Sequence, residues 1–111
     1  MAVSSVLGQA ALTQNTNTDL YTVPNGYTAR ITTLTMARTT TGTGTFPRIR
    51  VAIRPNGEAL ASKHYIIYAY TTAASYDIFN VNIPLASGDV VTVHADQPDA
   101  TVNIYGDEEL I

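Results

Sequence analysis

His64, His94 and Asp96 are the residues of this chain whose types could hold a metal ion, since two imidazoles and a carboxylate form a transition-metal set. His94 and Asp96 lie two apart on one alternating stretch, and His64 lies far upstream. The set therefore exists only if separate strands converge, and an isolated strand histidine is ordinarily satisfied by backbone or water. Serine catalysis needs Ser, His and an acid to converge, and a nucleophile elbow of the Gly-x-Ser-x-Gly kind is missing. Glycoside hydrolysis needs two carboxyl groups about 5–10 Å apart in a cleft. The acids here fall in turns (Asp89, Asp96, Asp99) or at the end of the chain (Asp107, Glu108, Glu109), where they serve solubility. No Asp-x-Asp-x-Asp loop offers calcium a cage. Gly42 and Gly44, in the threonine-rich loop 39–45, are followed by no lysine or helix that would hold a phosphate. The expectation is no catalytic, metal-binding or cofactor-binding residue, and a protein that is not an enzyme.

Contact is the chemistry that remains. The chain has seven tyrosines and no tryptophan. Tyrosine suits interfaces because it buries area at low entropic cost and keeps a hydroxyl. Strict alternation over 65–70 puts Tyr68 and Tyr70 on one face and Tyr65 on the other. Arg48, Arg50 and Arg54 carry half of the chain's six basic residues on the outward side of one strip, with Ile49, Val51 and Ile53 inward. Arginine favours bidentate pairing with carboxylates, and a neighbouring copy's acidic end or another acidic protein surface would supply them. Leu12 belongs to an N-terminal segment that reads as an edge strand or as an arm reaching onto a neighbour. Arg48, Arg50, Arg54, Tyr65, Tyr68, Tyr70 and Leu12 are thus the candidate interface with another subunit or a larger assembly. Tyr68 and Tyr70 also raise the alternative of a platform that stacks on sugars. A 111-residue chain with few charges has limited core of its own, so a homo-oligomer, dimer or trimer, is expected.

The elements that must position these residues read as strands. Charged residues make up only 14% against roughly 25% in ordinary soluble domains, and seventeen threonines take their place. Threonine faces water from a strand while keeping β geometry. Strands are expected over 20–23, 27–38, 48–54, within 59–70, over 78–83, 90–95 and around 102–104. Pro24-Asn25-Gly26, Pro55-Asn56-Gly57, 85–89 and 96–99 supply the turns. In 27–38 the inward set changes phase: Tyr27, Ala29 and Ile31 share one face, Leu34 and Met36 the other. A bulge near Thr32-Thr33 is needed to bury all five. The mixed apolar run 65–70 suits a strand covered on both faces. No apolar pattern holds helical spacing over three turns.

These features predict an all-β fold, an antiparallel β-sandwich of seven or eight strands with jelly-roll or immunoglobulin-like topology. Residues 1–15 form the arm or edge strand, 16–106 one sandwich domain, and 107–111 a short acidic tail. A net charge of −3 gives no footprint for nucleic acid. No run approaches the ~20 apolar residues that cross a bilayer, and the N-terminus lacks a signal peptide's pattern, so a soluble protein made in the cytoplasm is the expectation. The absence of cysteine excludes disulfides and thiolate sites.

The stretch Leu20-Tyr-Thr-Val-Pro-Asn-Gly26 with its following strand resembles the opening of a group of small virion proteins of tailed bacteriophages. These are capsid decoration (cement) proteins and related tail or fibre modules. The resemblance continues through Arg48-Ile-Arg-Val-Ala-Ile-Arg-Pro-Asn-Gly57, His64-Tyr65-Ile66 and Leu85-Ala-Ser-Gly-Asp-Val-Val-Thr-Val93, over most of 6–106. It implies a non-enzymatic virion protein at the capsid surface, with the major capsid protein or another virion protein as partner. A tail, neck or fibre module is the alternative it leaves open.

Overall fold

Where β-branched and aromatic residues alternate with threonine, the backbone extends; where Pro, Asn, Gly and Asp gather, it turns. The computed structural model describes residues 2–39, 46–71 and 76–111, so residues 40–45 of the threonine-glycine loop lie outside the described residues. The strands are β1 (Ala2–Ala11), β2 (Thr18–Thr22), β3 (Tyr27–Arg38), β4 (Arg48–Arg54), β5 (Tyr65–Thr71), β6 (Tyr76–Leu85), β7 (Val90–Ala95) and β8 (Ala100–Leu110). Two single-turn 3-10 segments, Pro55–Gly57 and Ser62–His64, lie between β4 and β5.

The strands form two four-stranded antiparallel sheets, ordered β1-β8-β3-β6 and β2-β7-β4-β5. The pairs β1–β8, β2–β7, β3–β6 and β4–β5 nest one inside the next, as if one long hairpin had been wound across both sheets. The β3–β8 and β4–β7 pairings then close each sheet. The expected antiparallel sandwich is present. Its strand order is not the immunoglobulin one, in which strands A, B, E and D share a sheet. Inward residues of both sheets make one core, with Ile31, Ile49, Val51, Val91, Val93, Val102 and Ile104 fully enclosed.

The phase change in β3 is resolved by the expected bulge. Ile31 faces Gly106 of β8 and Thr33 faces Tyr105, so Thr32 is an extra residue, and it is exposed. Ala29, Ile31, Leu34 and Met36 are consequently all buried. β1 slips in the same way at the same level, with Val6 opposite Tyr105 and Gly8 opposite Ile104, which leaves Leu7 extra. β8 between them keeps unbroken alternation, burying Ala100, Val102, Ile104 and Gly106.

Several expectations are corrected. Leu12 lies in the core at 6% exposure, so it cannot present a surface to a partner. β5 is an edge strand, and Ile66 and Tyr68 are exposed, so its apolar run is not covered on both faces. Within β5, Ala69 takes a φ of +57°, and the register against β4 slips there. That bulge turns Tyr70 into the core against Phe79 and leaves Tyr68 outside beside Tyr65. Tyr68 and Tyr70 therefore do not share a face. The acidic residues 107–109 are not a loose tail but run on within β8, paired with β1 and β3. Pro84 sits inside β6, which an edge strand tolerates because its outer N–H positions need no partner.

Gly106 is an inward position that allows no side chain. A Cβ there would lie 1.9 Å from the Arg30 carbonyl oxygen and 3.0 Å from the Ile31 Cα. Backbone on backbone cannot give way as a flexible side chain would. Gly106→Ala is expected to destabilise the fold by at least about 1–3 kcal/mol, the range for overpacked interiors. Urea unfolding would show it as a lowered midpoint at an unchanged m-value, and an unmoved midpoint would mean that β3 and β8 do not approach this closely.

Candidate functional site: the outer face of the second sheet

The arginine strip lies on the outer face of β4, and β2, β7 and β5 bring it neighbours that the sequence kept far apart. Arg48 is paired with Asp96: its backbone N–H donates to Oδ1 at 2.8 Å and its Nε–H to Oδ2 at 2.8 Å. The Arg48 side chain is 60% exposed, so the pair is worth at most about 1 kcal/mol. Burial alone would raise the Asp96 pKa, but the backbone and guanidinium donors of Arg48 outweigh it and hold the carboxyl below its ordinary value.

Arg54 is more deeply placed, with its side chain 16% exposed. Its Nη2 donates to Asp19 Oδ1 at 3.0 Å, its Nε to Thr92 Oγ1 at 3.0 Å and its Nη1 to the Glu58 carbonyl at 2.9 Å. The Thr92 hydroxyl donates in turn to Asp19 Oδ1 at 2.9 Å. One guanidinium thus ties β2, β7 and the turn after β4 together. The chain's own carboxylates, and not only a neighbour's, are therefore available to two of the three arginines.

Arg50 differs from both. Its guanidinium stacks over the Tyr68 ring at 4.6 Å and has no carboxylate partner among the described residues. Tyr68, 62% exposed, also meets Tyr65 edge to face at 5.0 Å. His94, opposite Arg50 in the β4–β7 register, has an Nδ1 that is buried and without a hydrogen-bond partner among the described residues. Burial, and then the Arg50 charge, lower the His94 pKa against the opposing pull of Asp96. Of the sequence-predicted residues, the fold gathers Arg50, Tyr65 and Tyr68 into one surface cluster. Arg48 and Arg54 flank it as braces, while Tyr70 and Leu12 are drawn inward.

His64, His94 and Asp96 are not brought together. His64 is buried at the entrance to β5, where its Nδ1 accepts the Ala61 N–H at 3.0 Å and its Nε2 lies 3.7 Å from Glu58 Oε1. Among the described residues no group of three or more histidines and carboxylates could hold a metal ion. A depression of about 560 Å³ beside β3 and β6 is walled by Arg30, Asp89, Asp107 and Glu109. Its polar groups mostly have structural work. Asp89 accepts the N–H groups of Ala86 and Asn56, each at 2.9 Å; Asp107 accepts from Ser4 and Arg30 donates to Asn82. No helix among the described residues is long and apolar enough to cross a membrane.

The sequence reading missed the outward apolar residues of β6. Tyr76 and Ile78 are exposed at 63% and 58%. The signal was there in Ile78-Phe79, apolar at both phases of the alternation.

No family model matches the chain, and no curated protein matches it. Solved structures similar to it include a pentameric capsid protein isolated from metagenomic phage sequences. That match has 14% identity and a TM-score of 0.40, and covers 99% of this chain. A second structure of such a protein gives 15% identity, a TM-score of 0.39 and 99% coverage of this chain. The chain spans only 61% and 62% of those capsid chains. Another is the nucleoplasmin-like N-terminal domain of Drosophila FKBP39, at 13% identity and a TM-score of 0.47, covering 100% of this chain and 90% of that one. Likenesses this distant carry no functional argument.

The His94 environment makes a pH prediction. The folded imidazole resists a proton that the unfolded one takes up near its ordinary value of about 6.5, so stability is full above that pH and falls below it. Urea midpoints measured at about pH 7.5 and pH 5.5 should therefore drop in acid, and His94→Gln should flatten the drop. An equal drop in the variant would assign the effect to another group.

Proposed function

We propose that the chain is a non-enzymatic structural protein of a tailed-bacteriophage virion, a capsid decoration protein that binds the assembled head and adds contact area against internal pressure. The observation that carries this reading is the division of labour among its side chains. Groups capable of chemistry are tied into the scaffold: His64 caps a turn, Asp89 and Asp96 brace turns, Asp19 holds Arg54, and Glu108 accepts the Tyr21 hydroxyl. Large apolar side chains, by contrast, stand exposed on β1, β5, β6 and the end of β8. That is the surface of a protein that works by contact.

Two further points support the reading. The nested pairing of eight strands reads as a jelly roll, an architecture found in viral capsid and lectin domains. The resemblance to small virion proteins runs in order through β2, β3, β4, β5 and β7. The sugar-stacking alternative loses half of its platform, because Tyr70 packs against Phe79 and of that pair only Tyr68 remains outside. The partner in this role is the major capsid protein, and the working location is the outer surface of the virion.

Purified protein mixed with undecorated phage heads should co-sediment with them at saturable, symmetry-related stoichiometry. Binding to tails alone would overturn the head assignment in favour of a tail, neck or fibre module. Binding to neither would remove the virion reading.

A further inference from the structure

The outer face of the second sheet is left with one cation that the fold does not balance. Ion pairs account for its basic neighbours: Arg48 with Asp96 at 2.8 Å, Arg54 with Asp19 at 3.0 Å, and Lys63 with Glu58 at 3.5 Å in the segment joining β4 to β5. Arg50 stands between Arg48 and Arg54 on the outward side of β4, and no carboxylate among the described residues pairs with it. His94, its neighbour across the β4–β7 register, does not answer the charge. Burial, and then Arg50 itself, lower the His94 pKa, so the imidazole is neutral near pH 7.

The Arg50 guanidinium is nevertheless held in place. It lies 4.6 Å over the Tyr68 ring, and Tyr65 meets Tyr68 edge to face at 5.0 Å. The bulge at Ala69 creates this arrangement, because it sends Tyr70 inward and leaves Tyr68 over the arginine at 62% exposure. Ile66, exposed at 46%, adds an aliphatic side chain on the same edge strand. A guanidinium already fixed by a ring has less freedom to lose when a partner arrives. Its N–H donors stay available for an acceptor.

We infer that Arg50, Tyr65 and Tyr68 anchor an interface with another protein, whose matching group is a single side-chain carboxylate flanked by apolar residues. The charge balance of the face selects that chemistry. One unbalanced cation takes one carboxylate, whereas a polyanion would bring more charge than the face can neutralise. Tyr68 and Ile66 then meet the apolar neighbours of the carboxylate, and Arg and Tyr are the residues that most often carry an interface's binding energy. Arg48 and Arg54 brace the sheet, and Arg50 does the recognition. This partner chemistry rests on the reading of the protein as one that works by contact, and it holds whichever assembly supplies the partner.

A small probe tests it without any virion. Isotope-labelled protein is titrated with a blocked pentapeptide, Ala-Leu-Glu-Leu-Ala, and followed by nuclear magnetic resonance at the Arg50 Nε–H and the Tyr65 and Tyr68 rings. Saturable shifts at those groups are expected, and the peptide with glutamine in place of glutamate should bind at least about fivefold more weakly. Arg50→Gln should weaken binding of the glutamate peptide at least about fivefold, and Tyr68→Ala at least about twofold. Arg48→Gln is the matched control: that arginine is already paired, so affinity should change by less than about twofold. The same spectra report whether each variant keeps its fold. Shifts that never saturate would overturn the proposal, as would equal binding of the two peptides or an equal loss in Arg48→Gln and Arg50→Gln. Displacement of the peptide by equimolar inorganic phosphate would overturn it in favour of a phosphoryl ligand. Self-association of the wild type that Arg50→Glu abolishes would overturn it in favour of a second copy. Co-sedimentation with heads is read separately, so the virion reading can fail while this one holds.

Discussion

The close approach of β3 to β8 at Gly106 is the contact on which the sandwich turns. β8 runs through the middle of the first sheet with regular alternation, while β1 and β3 on either side each slip by one residue against it, at Leu7 and Thr32. The slip lets Ala29 and Ile31 share the core with Leu34 and Met36 although their phases differ. It also drives the Arg30 carbonyl into the space where a β8 side chain would stand, and only glycine leaves that space free. At the neighbouring corner Gly8 does the same for the second sheet. A Cβ there would lie 2.5 Å from the Leu20 carbonyl oxygen, where β2 carries its own register slip. Bulges and glycines together bend the sheets toward each other along the β1–β2 side.

The core is covered only in part toward both edges, by Leu7, Leu20 and Tyr21 on the β1–β2 side and by a second set on the opposite side. Ile53, Ile67, Tyr70, Phe79, Val81 and Ile83 pack against the core yet remain only partly covered. β5 and β6, which carry all of these but Ile53, are the edge strands of the two sheets. Tyr70 and Phe79 cross the gap, and the Asp77 carboxylate beside the Tyr70 hydroxyl raises its pKa. Edge strands with apolar outer residues are aggregation hazards unless something pairs with them.

The polar side chains follow the same geography. Arg54, Asp19 and Thr92 form a network with Arg54 largely shielded from water, where charge-assisted hydrogen bonds outweigh those of exposed pairs. Arg48 and Asp96 are nearer the solvent and hold a loop more than they hold the fold. Arg50 has an aromatic ring and a histidine for company and no counter-ion among the described residues, which makes it the cation of this face most available to a second molecule.

Much of this was legible in the chain itself. The strands 48–54 and 90–95 coincide with β4 and β7, and the phase change in 27–38 demanded the Thr32 bulge, because burial and a two-residue period leave no other way to hide five apolar residues. The clustering of arginine on one strand face was equally plain, since alternation fixes which side chains share a side. Sequence could not say that Ala69 would adopt a positive φ and send Tyr68 and Tyr70 to opposite faces. Any residue but glycine resists that conformation, and only the slipped pairing with β4 and the Phe79 contact compensate for it. Nor could it say that Asp96 and Asp19 would reach Arg48 and Arg54, or that 107–109 would be strand. Those outcomes depend on which strands lie side by side, and the nested winding joins residues as far apart as Ala2 and Glu109, a separation across which local pattern carries no information.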